Sequence, residues 1–277
     1  MRKYLYRILI IVFALVFLGS AAYLVNYLLE SKKQKDYYDE LAGLVQQEED
    51  LADLLIPDAT NPDGSDVSPN NPSKYITVTN AKTGEPMRML RKYSIVYQRN
   101  ADLVGWIKIP GTKINYPVLQ SPEEENFYLT RDFYKNESKY GAIYANELGD
   151  VTIPTDNIIL YGHKMADGSM FASLHNYSDV DFYIQNEYFT FDTLFEEHTY
   201  QIFAIFTTTA DFGDGFAYHT FMDMDEQTFT EFVQKCKDLS LYKTYLTAEY
   251  GDKLLTLSTC DHSIDNGRYV VVAKRVS

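Results

Sequence analysis

Hydrophobic and polar residues divide this chain into an apolar N-terminal segment, an amphipathic stretch, a polar tract and a long region of short apolar runs. Residues 8–25 carry no charged side chain, and about 18 to 20 apolar residues are enough for a helix to cross the hydrocarbon layer. Residues 36–56 place leucines near helical spacing among acids, which predicts an amphipathic helical stalk. Residues 57–75 are rich in Pro, Asn, Asp, Ser and Gly, which predicts a flexible linker.

The rest of the chain predicts a mainly β domain with few helices. We expect a helix from about Pro86 to Arg99, and another from about Asp225 to Leu239 with four residues on one apolar face: Phe229, Phe232, Val233 and Cys236. Between and after them lie the strand-like runs WIKIPG, NYPVLQ, GAIYAN, NIILYGH, YFTFDTL, HTYQIFAIFTTTA, KLLTLSTC and RYVVVAKRV. Eight such runs in one domain predict a closed or nearly closed β-barrel.

These patterns predict three parts of the chain. Residues 1–30 would form a cytoplasmic tip and membrane anchor, residues 31–73 an acidic stalk and linker, and residues 74–277 the β-barrel domain. A cleaved signal peptide is the rival interpretation of the first segment, because Gly19-Ser20-Ala21 offers small residues near a cut site. The apolar run continues past these residues, which favours an anchor. Basic residues flank the run on both sides, so the charge rule alone does not settle the orientation. The first segment usually dominates, and a large acidic domain follows it, which together predict that this domain lies outside the cytoplasm.

Composition excludes some classes of function. The 277 residues include 25 basic and 39 acidic side chains, a formal net charge of -14, which opposes binding to nucleic acid or anionic lipid. The 24 Tyr and 16 Phe beside a single Trp suit a β-rich domain. Two cysteines permit at most one disulfide. We expect no cofactor. We also expect no bound metal at Cys260, Asp261 and His262, because this cluster lacks separated ligand pairs.

Candidate chemistry centres on Cys260. Strand alternation in KLLTLSTC puts this cysteine at the strand end, on the face opposite Leu255 and Leu257. Asp265-Asn266-Gly267 then predicts a turn, and Arg268 opens the next run, so a hairpin would bring Arg268 near Cys260. His163 ends another strong strand, and a histidine distant in sequence is the usual partner of a catalytic cysteine.

These three residue types together predict acyl transfer. A free thiol with a pKa of about 8.5 is mostly protonated near neutrality, whereas the thiolate is the attacking species. A guanidinium favours the thiolate or stabilises an oxyanion, and an imidazole protonates the departing amine. A covalent thioacyl intermediate would follow.

The segments LVGWIKIPGTKINYPVLQ, NIILYGHKMADGSMFASLHNY and TLSTCD resemble the sortase family, and the last two are most similar to class B sortases. The resemblance covers about residues 85–277. It implies the sortase β-barrel, with N-terminal helices and a helix before the strand that carries the cysteine. It also implies cleavage of a cell-wall sorting signal and transfer of the acyl group to an amine of peptidoglycan or of a pilin subunit.

The same resemblance implies residue roles. Cys260 would be the nucleophile, His163 the general acid and base, and Arg268 the group that stabilises substrate and oxyanion. Weaker candidates for lining the substrate groove are Tyr161, Asn115, Ser258 and Thr259.

Several alternatives stay open at the level of sequence. Cys260 could be a buried structural thiol or form a disulfide with Cys236, although Cys236 suits simple packing. His262 is close enough in sequence to compete with His163, and Arg268 could be an exposed strand-end cation. We expect the remaining histidines to be surface or satisfied core residues: His175, His198 and His219. The rival functions are a non-catalytic, membrane-tethered binding domain and a hydrolytic cysteine endopeptidase.

Overall fold

The computed structural model of the chain describes residues 2–55, 74–121, 124–209, 215–261, 263 and 265–277. It divides into two units, Met1–Gly43 and Leu44–Ser277. The predicted linker lies almost entirely outside the described residues. The first helix, α1 (Arg2–Leu55), contains both the apolar segment and the amphipathic stretch. Within it lies a segment long and apolar enough to cross a membrane, and none of that segment is buried against protein.

The second unit contains a closed β-barrel, as the sequence predicted. Among the described residues, eight strands form it: β3 (Leu103–Lys108), β4 (Asn115–Leu119), β5 (Ile143–Ala145), β6 (Asn157–Tyr161), β7 (Tyr188–Thr193), β8 (Thr199–Thr209), β9 (Leu254–Asp261) and β10 (Gly267–Arg275). Their order around the barrel is β10-β8-β7-β3-β4-β5-β6-β9, and β9 closes on β10. Each predicted strand-like run is one of these strands.

Two pairings in this barrel are parallel. β4 pairs with β5 and β6 pairs with β9 in parallel, whereas the other neighbours run antiparallel. Parallel neighbours end at the same edge of a sheet, so β6 and β9 finish side by side. This edge is where the two segments that carry His163 and Cys260 arrive.

The predicted helix from Pro86 to Arg99 is wrong in its first half. Residues Pro86–Leu90 form strand β2, which pairs antiparallel with β1 (Tyr75–Thr79) in a separate two-stranded sheet. Helix appears only at the end of the stretch, as a 3-10 turn at Arg91–Tyr93 and α2 (Ser94–Arg99). The reason is tertiary: strand pairing satisfies the backbone of Pro86–Leu90, and a five-residue run is too short for periodicity to distinguish helix from strand.

The predicted helix before the cysteine strand is present as α4 (Glu226–Leu239). Asp225 caps it, because its carboxylate accepts a hydrogen bond from the Thr228 backbone N–H at 2.8 Å. Its four apolar residues are buried, as predicted, in a cluster with barrel residues that include Ile159, Leu254 and Val270. Two short elements complete the region next to the site: a 3-10 helix at Ala172–Ser178 and α3 (Val180–Gln185).

Candidate active site

Cys260 and Arg268 face each other across the β9–β10 hairpin. Their Cα atoms are direct partners in the antiparallel register, and directly opposed residues project to the same face of a sheet. Asn266 makes the connection with a positive φ of 49°, a conformation that asparagine tolerates better than most residues. The sequence prediction that Arg268 lies beside Cys260 is therefore confirmed in position.

His163 arrives at the same edge through β6. Tyr161 pairs with Ser258 in the parallel register, and the Gly162 backbone N–H continues the ladder by donating to the Ser258 carbonyl at 3.2 Å. His163 lies two residues after Tyr161, and Cys260 lies two residues after Ser258, so both follow the same paired position. The nucleophile candidate thus stands between the strand that carries the imidazole and the strand that carries the guanidinium.

A backbone carbonyl fixes the imidazole of His163. Its Nε2 lies 2.7 Å from the carbonyl oxygen of Leu129. Because a carbonyl oxygen only accepts, Nε2 must carry a proton in this contact, and in the neutral ring Nδ1 is then the basic nitrogen. The bond holds the ring in one tautomer and orientation, as an acid–base histidine requires.

The Arg268 guanidinium is held by its own turn. Its Nη1 donates to the Gly267 carbonyl at 3.0 Å, to the Asn266 carbonyl at 3.2 Å and to Asn266 Oδ1 at 3.3 Å. These bonds orient the charged group beside the hairpin end.

A groove with a volume of about 870 Å³ contains all three residues, and this volume is typical of small-ligand and peptide pockets. Three tyrosines contribute to its wall, Tyr144, Tyr161 and Tyr218, and the rings of Tyr144 and Tyr161 lie 5.4 Å apart. Burial raises the pKa of each of these phenols, so their hydroxyls stay protonated. The residues lining it are Glu125, Asn126, Leu129, Tyr144, Asn146, Glu147, Leu148, Tyr161, Gly162, His163, Tyr218, His219, Thr220, Met222, Ser258, Thr259, Cys260 and Arg268.

Three of the four weaker candidates line this groove. The Tyr161 hydroxyl accepts a hydrogen bond from Asn146 Nδ2 at 3.3 Å. Ser258 is 1% exposed, and its hydroxyl forms a hydrogen bond with the Tyr218 hydroxyl at 2.5 Å. Thr259 is 3% exposed, and its Oγ1 makes no hydrogen bond within the described residues. Both side chains are buried, so neither offers a free polar group at the surface of the groove.

The fourth candidate, Asn115, is not among the described residues that line the groove. It stands at the start of β4, opposite Lys108, and its Oδ1 accepts a hydrogen bond from Trp106 Nε1 at 2.7 Å. The side chain thus stabilises the β3–β4 pair. Asn115 was a candidate because it lies in a motif that covers the whole of β4. The opposite end of β4, at Leu119, is the end that pairs with the groove residue Tyr144.

Sequence reasoning missed Tyr218 and Tyr144. Tyr218 belongs to a short 3-10 helix in the connection between β8 and α4, a segment without apolar periodicity. Tyr144 lies in a recognised strand, but its approach to Tyr161 depends on the pairing of β5 with β6. Neither position carries a local signal, and only the strand order brings them to the groove.

The structure also decides among the alternatives for the thiols. Both cysteines are free: Cys236 is buried and Cys260 is partly exposed. Burial raises the pKa of the Cys236 thiol, as expected for a packed, unreactive group. A Cys236–Cys260 disulfide is therefore absent.

The histidines divide as follows. His198 is buried and His175 is half-buried, and His219 is partly exposed where it lines the groove. His262, the competitor of His163 and a member of the candidate metal cluster, lies outside the described residues. Among the described residues, no group of three or more His, Cys, Asp or Glu side chains is arranged to hold a metal ion.

Comparison with known proteins connects this geometry to a family. Residues 107–276 match the family model described as the sortase domain. The chain is 34% identical to sortase B of Listeria monocytogenes over 204 residues, which are 73% of this chain and 78% of that protein.

Solved structures give the same result. A crystal structure of a Bacillus anthracis protein described as similar to sortase B matches with a TM-score of 0.67 and 30% identity, covering 88% of this chain and 96% of that one. A Staphylococcus aureus sortase B–substrate complex matches with a TM-score of 0.70 and 26% identity, covering 90% and 99%.

Proposed function

The chain belongs to the sortase family, and on that premise we propose that it is a membrane-tethered cysteine transpeptidase in which Cys260, His163 and Arg268 form the catalytic centre. The observation that carries the proposal is the convergence of these residues. Cys260 and Arg268 are register partners, and His163 follows the strand that pairs with the other side of β9. All three line one groove.

In the proposed reaction, the thiolate of Cys260 attacks a peptide carbonyl and forms a carbon–sulfur bond. The carbonyl electron pair moves to oxygen, and the Arg268 guanidinium stabilises the resulting oxyanion. As the intermediate collapses, the carbon–nitrogen bond breaks and the His163 imidazolium gives its proton to the departing amine. A thioester to Cys260 remains.

The second half of the reaction reverses these roles. An incoming amine attacks the thioester carbonyl, and neutral His163 accepts the proton that the amine loses. The carbon–sulfur bond then breaks and restores the Cys260 thiolate, so the net result is exchange of one amide for another. If water enters in place of the amine, the product is a free carboxylate and the enzyme acts as an endopeptidase.

The proposed substrates are proteins that carry a cell-wall sorting signal, and the proposed acceptor is an amine of peptidoglycan or of a pilin subunit. Support comes from the family and from the groove, whose tyrosine-rich wall offers apolar surface and hydroxyl groups to an extended peptide. The matched S. aureus structure is described as a complex of sortase B with its substrate, which is consistent with peptide binding on this fold.

We further propose that α1 anchors the chain as a single span with the barrel domain outside the cytoplasm. The apolar part of α1 is unburied and long enough to cross a bilayer. Extraction of membranes with alkaline carbonate tests this proposal: the full-length chain is expected in the pellet, and recovery in the supernatant would contradict it.

The experiment that tests the function uses the full-length chain in detergent micelles, a library of sorting-signal peptides and an amine acceptor, with products identified by mass. We expect amine-linked product from the wild type and none from Cys260→Ala. Hydrolysed peptide without capture of the amine would indicate the endopeptidase, and absence of any Cys260-dependent product would indicate a binding domain.

Two histidine variants in the same assay test the acid–base assignment. His163→Ala is expected to abolish transfer, whereas His262→Ala is expected to retain most of it. The opposite pattern would transfer the acid–base role to His262.

A further inference from the structure

The hydrogen-bond ladder between β6 and β9 ends one step before the nucleophile. Gly162 donates to the Ser258 carbonyl, and carbonyl groups two residues apart in a strand point to the same side. The Cys260 carbonyl therefore also points toward the β6 side. If the parallel pairing continued, the backbone N–H of Lys164 would donate to the Cys260 carbonyl. However, β6 ends at Tyr161, and Lys164 forms a separate bridge with Met170.

A side chain takes the place of the missing strand donor. His175 Nε2 lies 3.2 Å from the Cys260 carbonyl oxygen. A carbonyl oxygen only accepts, so His175 Nε2 is the donor in this bond. The contact joins two residues that are 85 positions apart in the chain.

The ring of His175 is held in place independently of this bond. It stacks on Tyr269 with ring centroids 4.3 Å apart and planes inclined by 29°. Tyr269 is buried in β10 opposite Thr259, and its hydroxyl forms a hydrogen bond with Ser178 Oγ at 3.1 Å. The 3-10 helix that carries both His175 and Ser178 is thereby fixed to the hairpin that carries Cys260.

We propose that His175 is a positioning residue for the nucleophile: it donates the hydrogen bond that extends the β6–β9 ladder to Cys260 and keeps the end of β9 in register with Arg268 and His163. This inference rests on the proposed function for its catalytic consequence. His175 is not among the described residues that line the groove, so it acts through Cys260 and not by touching the peptide.

The physical consequence follows from the place of Cys260, one residue before the end of β9. Terminal residues of a strand fray when their backbone groups lack partners. A thiol carried by a fraying residue spends less time in the geometry that attack requires, and small misplacements reduce rates strongly. Loss of the bond should thus lower kcat and leave KM nearly unchanged.

Two substitutions separate the hydrogen bond from the packing. His175→Phe keeps a flat ring against Tyr269 but removes the donor, whereas His175→Gln removes the ring but supplies an amide N–H of similar reach. Each full-length variant in detergent micelles is compared with the wild type for kcat and KM of transfer, for thermal unfolding, and for hydrogen exchange of peptides covering residues 256–261.

We expect His175→Phe to lower kcat about 10-fold, with faster exchange at the end of β9 and little change in KM or Tm, because one net hydrogen bond is lost. His175→Gln should recover most of kcat and of the exchange protection. Normal kcat and normal protection in His175→Phe would overturn the proposal. The proposal would also be overturned if both variants lost kcat equally and in proportion to their loss of Tm, because that result would indicate a role in packing alone.

The exchange measurement keeps this inference separate from the proposed function. If the wild type shows no Cys260-dependent transfer, the proposed function fails, yet the exchange difference between His175→Phe and His175→Gln still reports whether the imidazole holds the end of β9. If transfer occurs and the two variants do not differ in either measurement, the positioning role fails alone.

Discussion

At the scale of single residues, Arg268 combines two tasks in one side chain. Its guanidinium donates to the carbonyl groups of Asn266 and Gly267 while it stands opposite Cys260. A planar group with several donors can hold its own turn and still present charge to the groove. An ammonium group, a point charge on a flexible stem, cannot keep the same direction.

We therefore expect Arg268→Lys to lower kcat/KM for peptide transfer by about 10²-fold, although the charge is conserved, because the oriented donor is lost. Steady-state kinetics of the full-length chain measure this effect. Near-normal turnover would show that charge alone suffices and would remove Arg268 from the catalytic centre.

Gly162 illustrates a different residue-scale constraint, next to His163. A Cβ at this position would lie 2.5 Å from Ile143 Cδ1 and 2.8 Å from the ring of Phe171. Real atoms do not approach so closely, and both neighbours are buried. An added methyl group must push the strand end, and His163 with it.

Gly162→Ala is expected to destabilise the fold by about 1–3 kcal/mol through overpacking and to reduce kcat/KM by about 10²-fold through displacement of His163. Gly149→Ala is the matched control for stability, since its Cβ would meet nothing closer than 3.6 Å. Urea unfolding and transfer kinetics measure the two effects, and a Gly162→Ala variant as stable and active as the control would contradict this reading.

At the scale of elements, a buried lysine joins the helical and β parts of the second unit. Lys92 Nζ lies 2.6 Å from Glu197, 2.9 Å from Asp192 and 3.1 Å from Glu49 of α1. Its side chain is 11% exposed. Burial by itself lowers the pKa of Lys92, but the carboxylates of Asp192 and Glu197 outweigh it, so its pKa lies above the usual range.

Replacement of this cation should be costly. Lys92→Met leaves the buried carboxylate of Asp192 without its charged partner and is expected to lower the free energy of unfolding by about 3 kcal/mol. The control is Lys74→Met, whose side chain pairs with Glu197 at 44% exposure and whose loss should cost less than about 1 kcal/mol. Equal effects in urea unfolding would refute a special role for Lys92.

The same network predicts how stability depends on acid. Burial tends to raise the pKa of Glu197, but hydrogen bonds and charge from Lys74 and Lys92 lower it below its usual value of 4.5. A depressed folded-state pKa stabilises the protein above the unfolded pKa, and this contribution is lost as the pH falls through the folded value. Tm should thus fall as the pH drops below about 4.5, and less steeply in Lys92→Met.

At the scale of the whole molecule, the barrel was predictable because each strand carries its own local pattern. The eight runs, the amphipathic face of α4 and the Cys260–Arg268 hairpin all follow from periodicity and turn residues that lie within short windows. The first half of the Pro86–Arg99 stretch was not predictable in this way, since its pairing with Tyr75–Thr79 decided its conformation.

The residues of the site show the same difference between local and non-local sequence signals. His163 was found because it ends a recognised strand. Tyr144 and Tyr218 reach the groove, and His175 reaches the Cys260 carbonyl, only through strand order and long connections. Asn115 shows the converse error, because a motif spread over a whole strand does not tell which end approaches the site. Contacts that depend on non-local pairing leave no signature in a single sequence.

Formation of a thioacyl intermediate on Cys260 can be measured by intact-mass spectrometry of the full-length chain mixed with a sorting-signal peptide and no acceptor amine. We expect a mass increase equal to that of the acyl fragment. Peptide mapping should place it on the peptide that contains Cys260, hydroxylamine should release it, and Cys260→Ala should lack it. Turnover of the peptide without any such adduct on Cys260, or an adduct that persists in Cys260→Ala, would contradict the proposed intermediate.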